Sequence, residues 1–209
     1  SAASDVYKRQ ALANASVDDV LAVWRGLGYY GRARRIHEAA QKVMNDPHLR
    51  GQLPANAQEL MEHIPGVGPY TAGAISSIVF GHAVPILDGN VARVLCRQTG
   101  LYSDPRAKST NDLLWHMARM LVESVAPHER SDVPGRWNQG LMELGSTLCT
   151  PTRPGCDTCP IKPTCLTYAE GRMYEGDLAQ SEEKDMEDLC TWCAPCLLYT
   201  SDAADERSS

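Results

Sequence analysis

The stretch LPANAQELMEHIPGVGPYTAGAISSIVFGHAVPILDGN, residues 53–90, predicts two helices joined by a glycine hairpin and followed by a buried turn. Asn56 and Glu59 have the spacing of a capping box at the start of the first helix. Leu60 and Ile64 then give this helix one apolar face. These two features predict the first of the two helices.

The hairpin between the two helices predicts a binding site for one phosphate. It consists of Pro65, Gly66, Val67 and Gly68. Glycine adopts backbone angles that other residues avoid, and Pro69 stands where a new helix tolerates proline best, just before residues 71–80. A hairpin that opens a helix leaves backbone N–H groups free to bind an anion. Because no G-x-x-x-x-G-K-[ST] motif follows, a nucleic-acid phosphate suits this hairpin better than a nucleotide triphosphate.

The charge of the chain is concentrated in one segment. The 209 residues, enough for one or two small domains, carry a net charge of −6, and residues 170–189 alone hold eight acidic and two basic side chains. The remainder is therefore near neutral, and residues 25–50 are locally basic, with six Lys or Arg against two acids. Such a basic stretch is either a solvated helix face or a phosphate contact. No apolar run is long enough to predict a membrane span.

The other segments also read as helices. Ser16 is expected to cap a helix that ends near residue 25, and residues 31–46 form an amphipathic helix whose inner face includes Ile36. Three further helices are expected: one at residues 91–98, one that is capped by Ser109 or Thr110, and one that begins at residue 134. The helix that begins at Ser109 or Thr110 is predicted to turn inward Leu113, Leu114, Met117, Met120, Leu121 and Val125. No credible strand pair is present, so the predicted fold class is all-α.

Four cysteines near the C-terminal part of the chain predict a metal site. Cys149, Cys156, Cys159 and Cys165 follow the pattern C-x6-C-x2-C-x5-C. Four thiols packed so closely favour metal binding over disulfides in a chain without a secretory signal. The spacing alone leaves zinc and iron–sulfur both open. A second C-x2-C pair, Cys190 and Cys193, follows the acidic segment.

Several of these motifs resemble one known family. Residues 53–90 resemble the helix-hairpin-helix, Gly/Pro-rich loop and aspartate of the DNA glycosylase superfamily. The stretches LGYYGRAR, residues 27–34, and RWNQGLMELGSTLC, residues 136–149, resemble the adenine DNA glycosylases, the MutY family. The resemblance implies a helix-hairpin-helix DNA glycosylase fold with a helical barrel lobe and an iron–sulfur lobe, in which the N-terminal helices are missing.

The resemblance also implies roles for individual residues. Asp88 occupies the place of the catalytic aspartate, and Tyr70 and Asn90 are expected to support it. Endonuclease III relatives have a lysine at position 70, which forms a Schiff base; a tyrosine cannot, so base removal without an efficient lyase step is expected. A carboxylate beside the sugar would stabilise the positive charge that develops as the glycosidic bond breaks.

The same family implies the residues that touch DNA. Tyr29 would wedge into the duplex, with Arg32 beside it, and the hairpin residues 65–68 would hold a phosphate. Gln139 would contact the flipped adenine. The expected partner is double-stranded DNA that contains a mispaired adenine, bound by a monomer without any membrane association. Repair or replication proteins could bind through the acidic linker.

The cofactors follow from the resemblance as well. The four cysteines look like the family's loop for a 4Fe–4S cluster, with a structural role, and Arg153 and Lys162 on that loop could meet phosphates. Cys190 and Cys193 resemble part of the zinc site in the connector of animal and fungal adenine glycosylases. An intracellular location is expected, nuclear or mitochondrial in a eukaryote.

The predicted organisation has five parts. Residues 1–10 and 196–209 resemble the translated strands of a sequencing adapter and are taken as non-native. Residues 11–130 are the helical barrel domain, with the helix-hairpin-helix at about 54–80. Residues 131–169 are the iron–sulfur domain, and residues 170–195 are an acidic linker. The family's general-acid glutamate lies upstream of anything present, so the chain as given is expected to be inactive.

Three alternatives stay open on the sequence. One is a glycosylase of the same fold for another base, such as thymine mispaired with guanine. Another is a non-catalytic iron–sulfur module that only grips DNA. The last is a zinc-ribbon scaffold without a role on DNA.

Overall fold

The computed structural model describes residues 2–126 and 130–175, and every regular element within these ranges is helical. The helices are α1 Ala2–Asn14, α2 Val17–Val23, α3 Tyr30–Asn45, α4 Ala57–His63, α5 Pro69–Ala74, α6 Gly89–Thr99, α7 Lys108–Val125, α8 Val133–Thr147 and α9 Leu166–Glu175. A π-helical turn, Ile75–Val79, continues α5, and two 3-10 turns, Cys156–Thr158 and Lys162–Thr164, lie between α8 and α9. The all-α prediction is confirmed.

The described ranges bear on two further predictions. Helix α1 runs through residue 10, across the end of the segment that was set aside as non-native. Cys190 and Cys193 and the segment 196–209 lie outside the described residues. Among the helices that are described, none has the length and apolar composition needed to cross a membrane.

Local polar caps define two of the helix starts. The Ser16 hydroxyl accepts a hydrogen bond from the Asp19 amide at 3.1 Å and begins α2. The Asn56 side chain accepts from the Gln58 amide at 2.7 Å and begins α4. The cap at Asn56 therefore bonds the second amide of the helix, one residue before the position that a capping box uses.

The predicted cap of α7 is wrong. Ala107 precedes this helix and makes no side-chain cap, so neither Ser109 nor Thr110 starts it. Thr110 is buried instead, and its hydroxyl lies 2.6 Å from the hydroxyl of Ser103. A tertiary hydrogen bond thus takes the side chain that the sequence pattern assigned to the cap.

Two apolar clusters form the interior of the described part of the chain. The hairpin core joins α3, α4 and α5 and comprises Val43, Leu60, Ile64 and Ala72. The α6–α7 core comprises Leu87, Val91, Ala92, Leu95, Cys96, Leu114 and Ala118, with side chains of α8 packed on it. Helix α8 packs on both α6 and α7.

Three inward-facing predictions are corrected by these cores. Ile36 is 47% exposed, whereas His37 is buried in its place on α3. The His37 ring nitrogen Nε2 lies 3.0 Å from the carbonyl of Ala15, so a buried polar contact sets the rotation of α3. Leu113 and Met120 of α7 are also exposed, because the buried stripe of that helix runs through Leu114, Ala118 and Val122.

The turn before α6 is packed tightly against α5 and α8. A side chain at Gly73 would put its Cβ 2.2 Å from the carbonyl oxygen of Pro85, so only glycine allows this approach. Asn138 of α8, which is buried, donates hydrogen bonds to the Ser77 hydroxyl at 3.0 Å and to the Val84 carbonyl at 2.8 Å. These contacts fix the chain that leads into residue 88.

Candidate active site

Asp88 is held by its own helix. It is the N-cap of α6, and its Oδ1 accepts a hydrogen bond from the Val91 amide at 2.7 Å. Its Oδ2 accepts from Asn90 Nδ2 at 3.0 Å. The positive end of the α6 dipole also favours a carboxylate at this place. Both oxygens are therefore fixed, in a half-buried position, with lone pairs left for a substrate.

Asn90 is in turn held by a buried arginine that the sequence analysis missed. Arg93 is 4% exposed, and its Nη2 donates to Asn90 Oδ1 at 2.9 Å and to the Gly145 carbonyl at 2.6 Å. Its Nε donates to the Cys149 carbonyl at 2.8 Å. A chain of hydrogen bonds through Asn90 and Arg93 therefore joins the Asp88 carboxylate to the backbone of Cys149. The signal in the sequence was a charged residue on the otherwise apolar helix VARVLC.

Tyr70 lies within electrostatic range of Asp88. Burial raises the pKa of the Tyr70 hydroxyl above its ordinary value, and the charge of Asp88 raises it further. The hydroxyl therefore stays protonated near neutral pH, and it donates a hydrogen bond to Met142 Sδ at 3.4 Å. The structure thus brings Tyr70, Asp88 and Asn90 to one region, between α5 and the start of α6.

The hairpin presents unpaired backbone amides. Gly66 has φ of +74°, which favours glycine, and the Val67 amide bonds back to the Ile64 carbonyl at 3.3 Å. The amides of Gly66, Gly68 and Tyr70 have no acceptor within the described part of the chain. Three backbone N–H groups are therefore left without an acceptor among the described residues at the place where a phosphate was predicted.

Tyr29 stands at the surface in a strained conformation. Its φ of +50° is rare for a residue with a side chain, and it forms the N-cap of α3 with 37% of its surface exposed. The Arg32 guanidinium carbon lies 4.7 Å from the centre of its ring, within cation–π distance. Gln139 lies on the exposed side of α8, with its amide donating to the Gly135 carbonyl at 3.1 Å.

The four cysteines surround a single cavity. Its lining includes Cys149, Cys156, Cys159 and Cys165 together with apolar side chains such as Val94, Leu148 and Ile161. Burial is the main cause that raises the pKa of the thiols of Cys156 and Cys165, and the neighbouring cysteines raise it further. The four thiols are therefore close enough to interact electrostatically.

Four thiols that line one cavity are the kind of donor set that both zinc and iron–sulfur clusters use. Within residues 2–126 and 130–175, no three His, Cys, Asp or Glu side chains are grouped closely enough to hold a metal ion. The residue types at this cavity therefore suit a thiolate-bound metal centre of either kind.

The cysteine loop is tied to α6 by a second buried arginine. Arg97 donates to the carbonyls of Thr150 at 2.6 Å and Pro151 at 2.9 Å, and its Nη1 lies 3.5 Å from Cys149 Sγ. Of the two basic residues predicted to meet phosphates, Arg153 is exposed. Lys162 instead lies 3.8 Å from an Asp157 carboxylate oxygen.

Comparison with known proteins gives a family for this arrangement. The model of the HhH-GPD superfamily of base excision DNA repair proteins matches residues 4–120. Human adenine DNA glycosylase is 47% identical over 186 residues, which is 89% of this chain and 32% of that protein. The adenine DNA glycosylase of Schizosaccharomyces pombe is 39% identical over 184 residues, 88% of this chain and 36% of the relative. The chain thus spans about a third of the length of these relatives.

Solved structures agree with the fold. A thermostable thymine-DNA glycosylase superposes with a TM-score of 0.62 at 25% identity, over 79% of this chain and 76% of the other. An endonuclease III–DNA complex superposes with a TM-score of 0.59 at 22% identity, over 79% and 71% of the two chains, and this likeness shows the fold alone. The predicted glycosylase fold and the resemblance to adenine glycosylases are confirmed. Because the family match covers more than half of its residues, the chain belongs to the HhH-GPD superfamily of base excision DNA repair proteins.

Proposed function

We propose that the protein is a DNA N-glycosylase that removes adenine mispaired with 8-oxoguanine or guanine. The observation that carries the proposal is the Asp88 carboxylate, held at both oxygens at the start of α6, directly after the helix-hairpin-helix. Curated relatives that are 39–47% identical over most of this chain are adenine DNA glycosylases, which supports adenine as the substrate base.

The chemistry begins with extrusion of the target nucleotide, because an enzyme cannot reach a glycosidic bond inside the base stack. As the bond to adenine breaks, positive charge develops on the sugar. Asp88 stabilises that charge from one face, and Asn90 keeps the carboxylate in position. Because the aspartate makes its two hydrogen bonds before any substrate arrives, little reorganisation is needed.

Tyr70 makes the enzyme monofunctional. A phenol hydroxyl forms no imine with the sugar, whereas an amine at the same place would lead to strand cleavage. The raised pKa of Tyr70 keeps its hydroxyl a donor beside Asp88, and the role proposed for it is to support the catalytic carboxylate. Water supplies the hydroxyl that replaces the base and the proton that leaves with adenine, so the products are free adenine and an abasic site on an intact strand.

The DNA contacts combine wedge, hairpin and pocket residues. Tyr29, stacked with Arg32, enters the duplex, and the free amides of the Gly66–Gly68 hairpin bind a phosphate. Gln139 reaches the extruded base after leaving its bond with Gly135. Support for DNA as the partner comes from the superfamily of base excision DNA repair proteins to which the chain belongs and from its similarity to adenine DNA glycosylases.

The cysteine loop holds a 4Fe–4S cluster in this proposal. Its ligands are Cys149, Cys156, Cys159 and Cys165. The bound cluster would brace the loop, and Arg153 on that loop is free to meet the DNA backbone. Four further predictions stay hypotheses. They are zinc at Cys190 and Cys193, a linker that binds repair proteins, the division into domains, and a nuclear or mitochondrial location.

The test is an excision assay with the full-length protein. Single-turnover reactions would use duplexes with adenine opposite 8-oxoguanine, adenine opposite guanine, and thymine opposite guanine. We expect strand breaks in the two adenine duplexes only after treatment with hot alkali. Breaks without alkali would overturn the role given to Tyr70.

The same assay decides between the alternatives. Excision of thymine alone would favour the alternative that this protein is a thymine glycosylase. The thymine-DNA glycosylase of known structure is less similar in sequence to this chain than the adenine enzymes are. A folded, iron-containing protein that cuts none of the duplexes would be a DNA-binding module. A protein that contains zinc but no iron would be a scaffold.

A further inference from the structure

One face of α3 connects the two glycine turns of the proposed DNA surface. Arg32 lies over the ring of Tyr29 at the start of the helix. Arg35 is three residues further on, and side chains three apart share a helix face. The family resemblance gave roles to the first two residues and to the hairpin, but none to Arg35.

Arg35 lies directly against the hairpin. A Cβ added at Gly66 would be 2.7 Å from both Cβ and Cδ of Arg35, so the arginine stem fills the space that a side chain at residue 66 would need. A Cβ added at Gly31 would be 3.7 Å from both terminal nitrogens of Arg35. The stem therefore crosses the hairpin, and the guanidinium points back toward the start of α3, where Tyr29 stands.

No carboxylate in the described residues pairs with Arg35. The side chain of Arg35 is exposed. Glu62, which lines the same depression beside the hairpin, accepts a hydrogen bond from Gln58 Nε2 at 2.8 Å. An arginine whose stem is fixed by packing loses less side-chain entropy when it binds an anion.

We propose that Arg35 binds the DNA phosphate that lies between the wedge at Tyr29 and the phosphate held by the hairpin. The inference rests on the proposed DNA-binding function and adds a contact to it. A guanidinium offers two parallel donors to a phosphate, so Arg35 sets the distance along the strand between the unstacked step and the hairpin. Gly66 is then required for two reasons: its positive φ favours glycine, and the Arg35 stem occupies the space that a side chain at residue 66 would need.

The test is the salt dependence of binding by the full-length protein to an undamaged duplex, measured by fluorescence anisotropy. Arg35→Met keeps the aliphatic stem on Gly66 and removes the charge, and Arg35→Gln supplies a second uncharged variant. We expect either variant to lower the slope of log affinity against log salt by about 0.9 and to weaken binding roughly five- to ten-fold at low salt. Arg35→Lys should restore most of the slope.

The matched control is Arg34→Met on the same helix. Arg34 is equally exposed and equally free of ion pairs in the described part of the chain, but it does not line the hairpin depression. An unchanged slope in the uncharged Arg35 variants, or an equal loss in Arg34→Met, would overturn the proposal. Adenine excision by the unchanged protein is assayed in parallel. If the Arg35 variants change the slope but the unchanged protein excises no adenine, only the glycosylase proposal is refuted. If the unchanged protein excises adenine but the Arg35 variants leave the slope unchanged, only the Arg35 contact is refuted.

Discussion

The turn at Asp88 and the loop of four cysteines are both attached to α6, but they are stabilised in different ways. In the turn, the polar side chains are satisfied by residues two or three positions away. In the loop, the regular structure amounts to two 3-10 turns of three residues each. That loop is held from outside by Arg93 and Arg97, which donate to the carbonyls of residues 149–151.

Each of the two regions gets its shape from a different source. The Asp88 carboxylate is already fixed in the folded chain, because helix capping holds it before any ligand binds. The four cysteines line a cavity, and the loop that carries them is held in place by hydrogen bonds from Arg93 and Arg97. Arg93 contacts both regions and is the point where a defect in one reaches the other.

The largest effect is expected from Asp88→Asn. Removing the charge should lower the rate of adenine excision by roughly 10³-fold, because the developing positive charge loses its counterion. Asparagine caps helices as well as aspartate, so the free energy of unfolding should change by less than about 1 kcal/mol. Single-turnover rates and chemical denaturation measure the two quantities. Asp104→Asn, which changes an aspartate paired with Arg106, is the control; a rate in Asp88→Asn equal to that control would remove Asp88 from the mechanism.

Cys156→Ser should damage the loop and leave the turn intact. We expect it to lose most of the bound iron and the visible absorption of the cluster, because one of four ligands is gone. Cys96→Ala is the matched control, since Cys96 is buried in the α6–α7 core, away from the cavity lining. Iron content per chain is the measurement. Full iron in Cys156→Ser would show that this cysteine is not a ligand.

Arg93→Gln should affect both regions at once. Its loss leaves the carbonyls of Gly145 and Cys149 and the Asn90 side chain without their donor, at a cost of about 2–4 kcal/mol in unfolding free energy. The excision rate should fall as well, because Asn90 no longer holds Asp88 in place. Chemical denaturation and single-turnover kinetics test the two effects on one preparation. If the protein loses stability but keeps its full rate, the two regions are not coupled through Arg93.

The smallest effect concerns the titration of Tyr70. Its pKa is raised by burial and, less, by Asp88, so Asp88→Asn should lower that pKa while leaving it above the ordinary value. Because the folded-state pKa is the higher one, Tyr70 costs no stability below pH 10, the unfolded value, and stability falls as the pH rises from there through the folded pKa. Ultraviolet difference titration of each protein against its Tyr70→Phe variant measures this. An unchanged Tyr70 pKa in Asp88→Asn would mean that the two groups do not interact.

Much of the site could be predicted because its signals are local. The hairpin glycines and the position of Asp88 at a helix start lie within a few residues of the groups they bond. The spacing of the four cysteines is equally local, and the structure places all four around one cavity. Short-range patterns of this kind follow from backbone geometry, which the sequence states directly.

Predictions failed where a group outside the helix in question competed for a side chain. Thr110 bonds Ser103 and does not cap α7, and His37 is buried through a contact with Ala15, which leaves Ile36 exposed. Periodicity also assigned Leu113 and Met120 to the interior, but the buried stripe of α7 is narrower than its apolar face. Periodicity states which residues are apolar, and only the neighbouring helices decide which of them are covered.

From its residues alone the chain could be assigned an all-helical glycosylase fold and a glycine hairpin, and Asp88 and the four cysteines could be named as candidates, because each signal lies in one short segment. The burial of Arg93 and Arg97, their bonds from α6 to a loop more than fifty residues away, and the position of Arg35 on the hairpin follow from the tertiary structure. A buried guanidinium needs several carbonyl acceptors at once. Those acceptors come together only when the helices have packed.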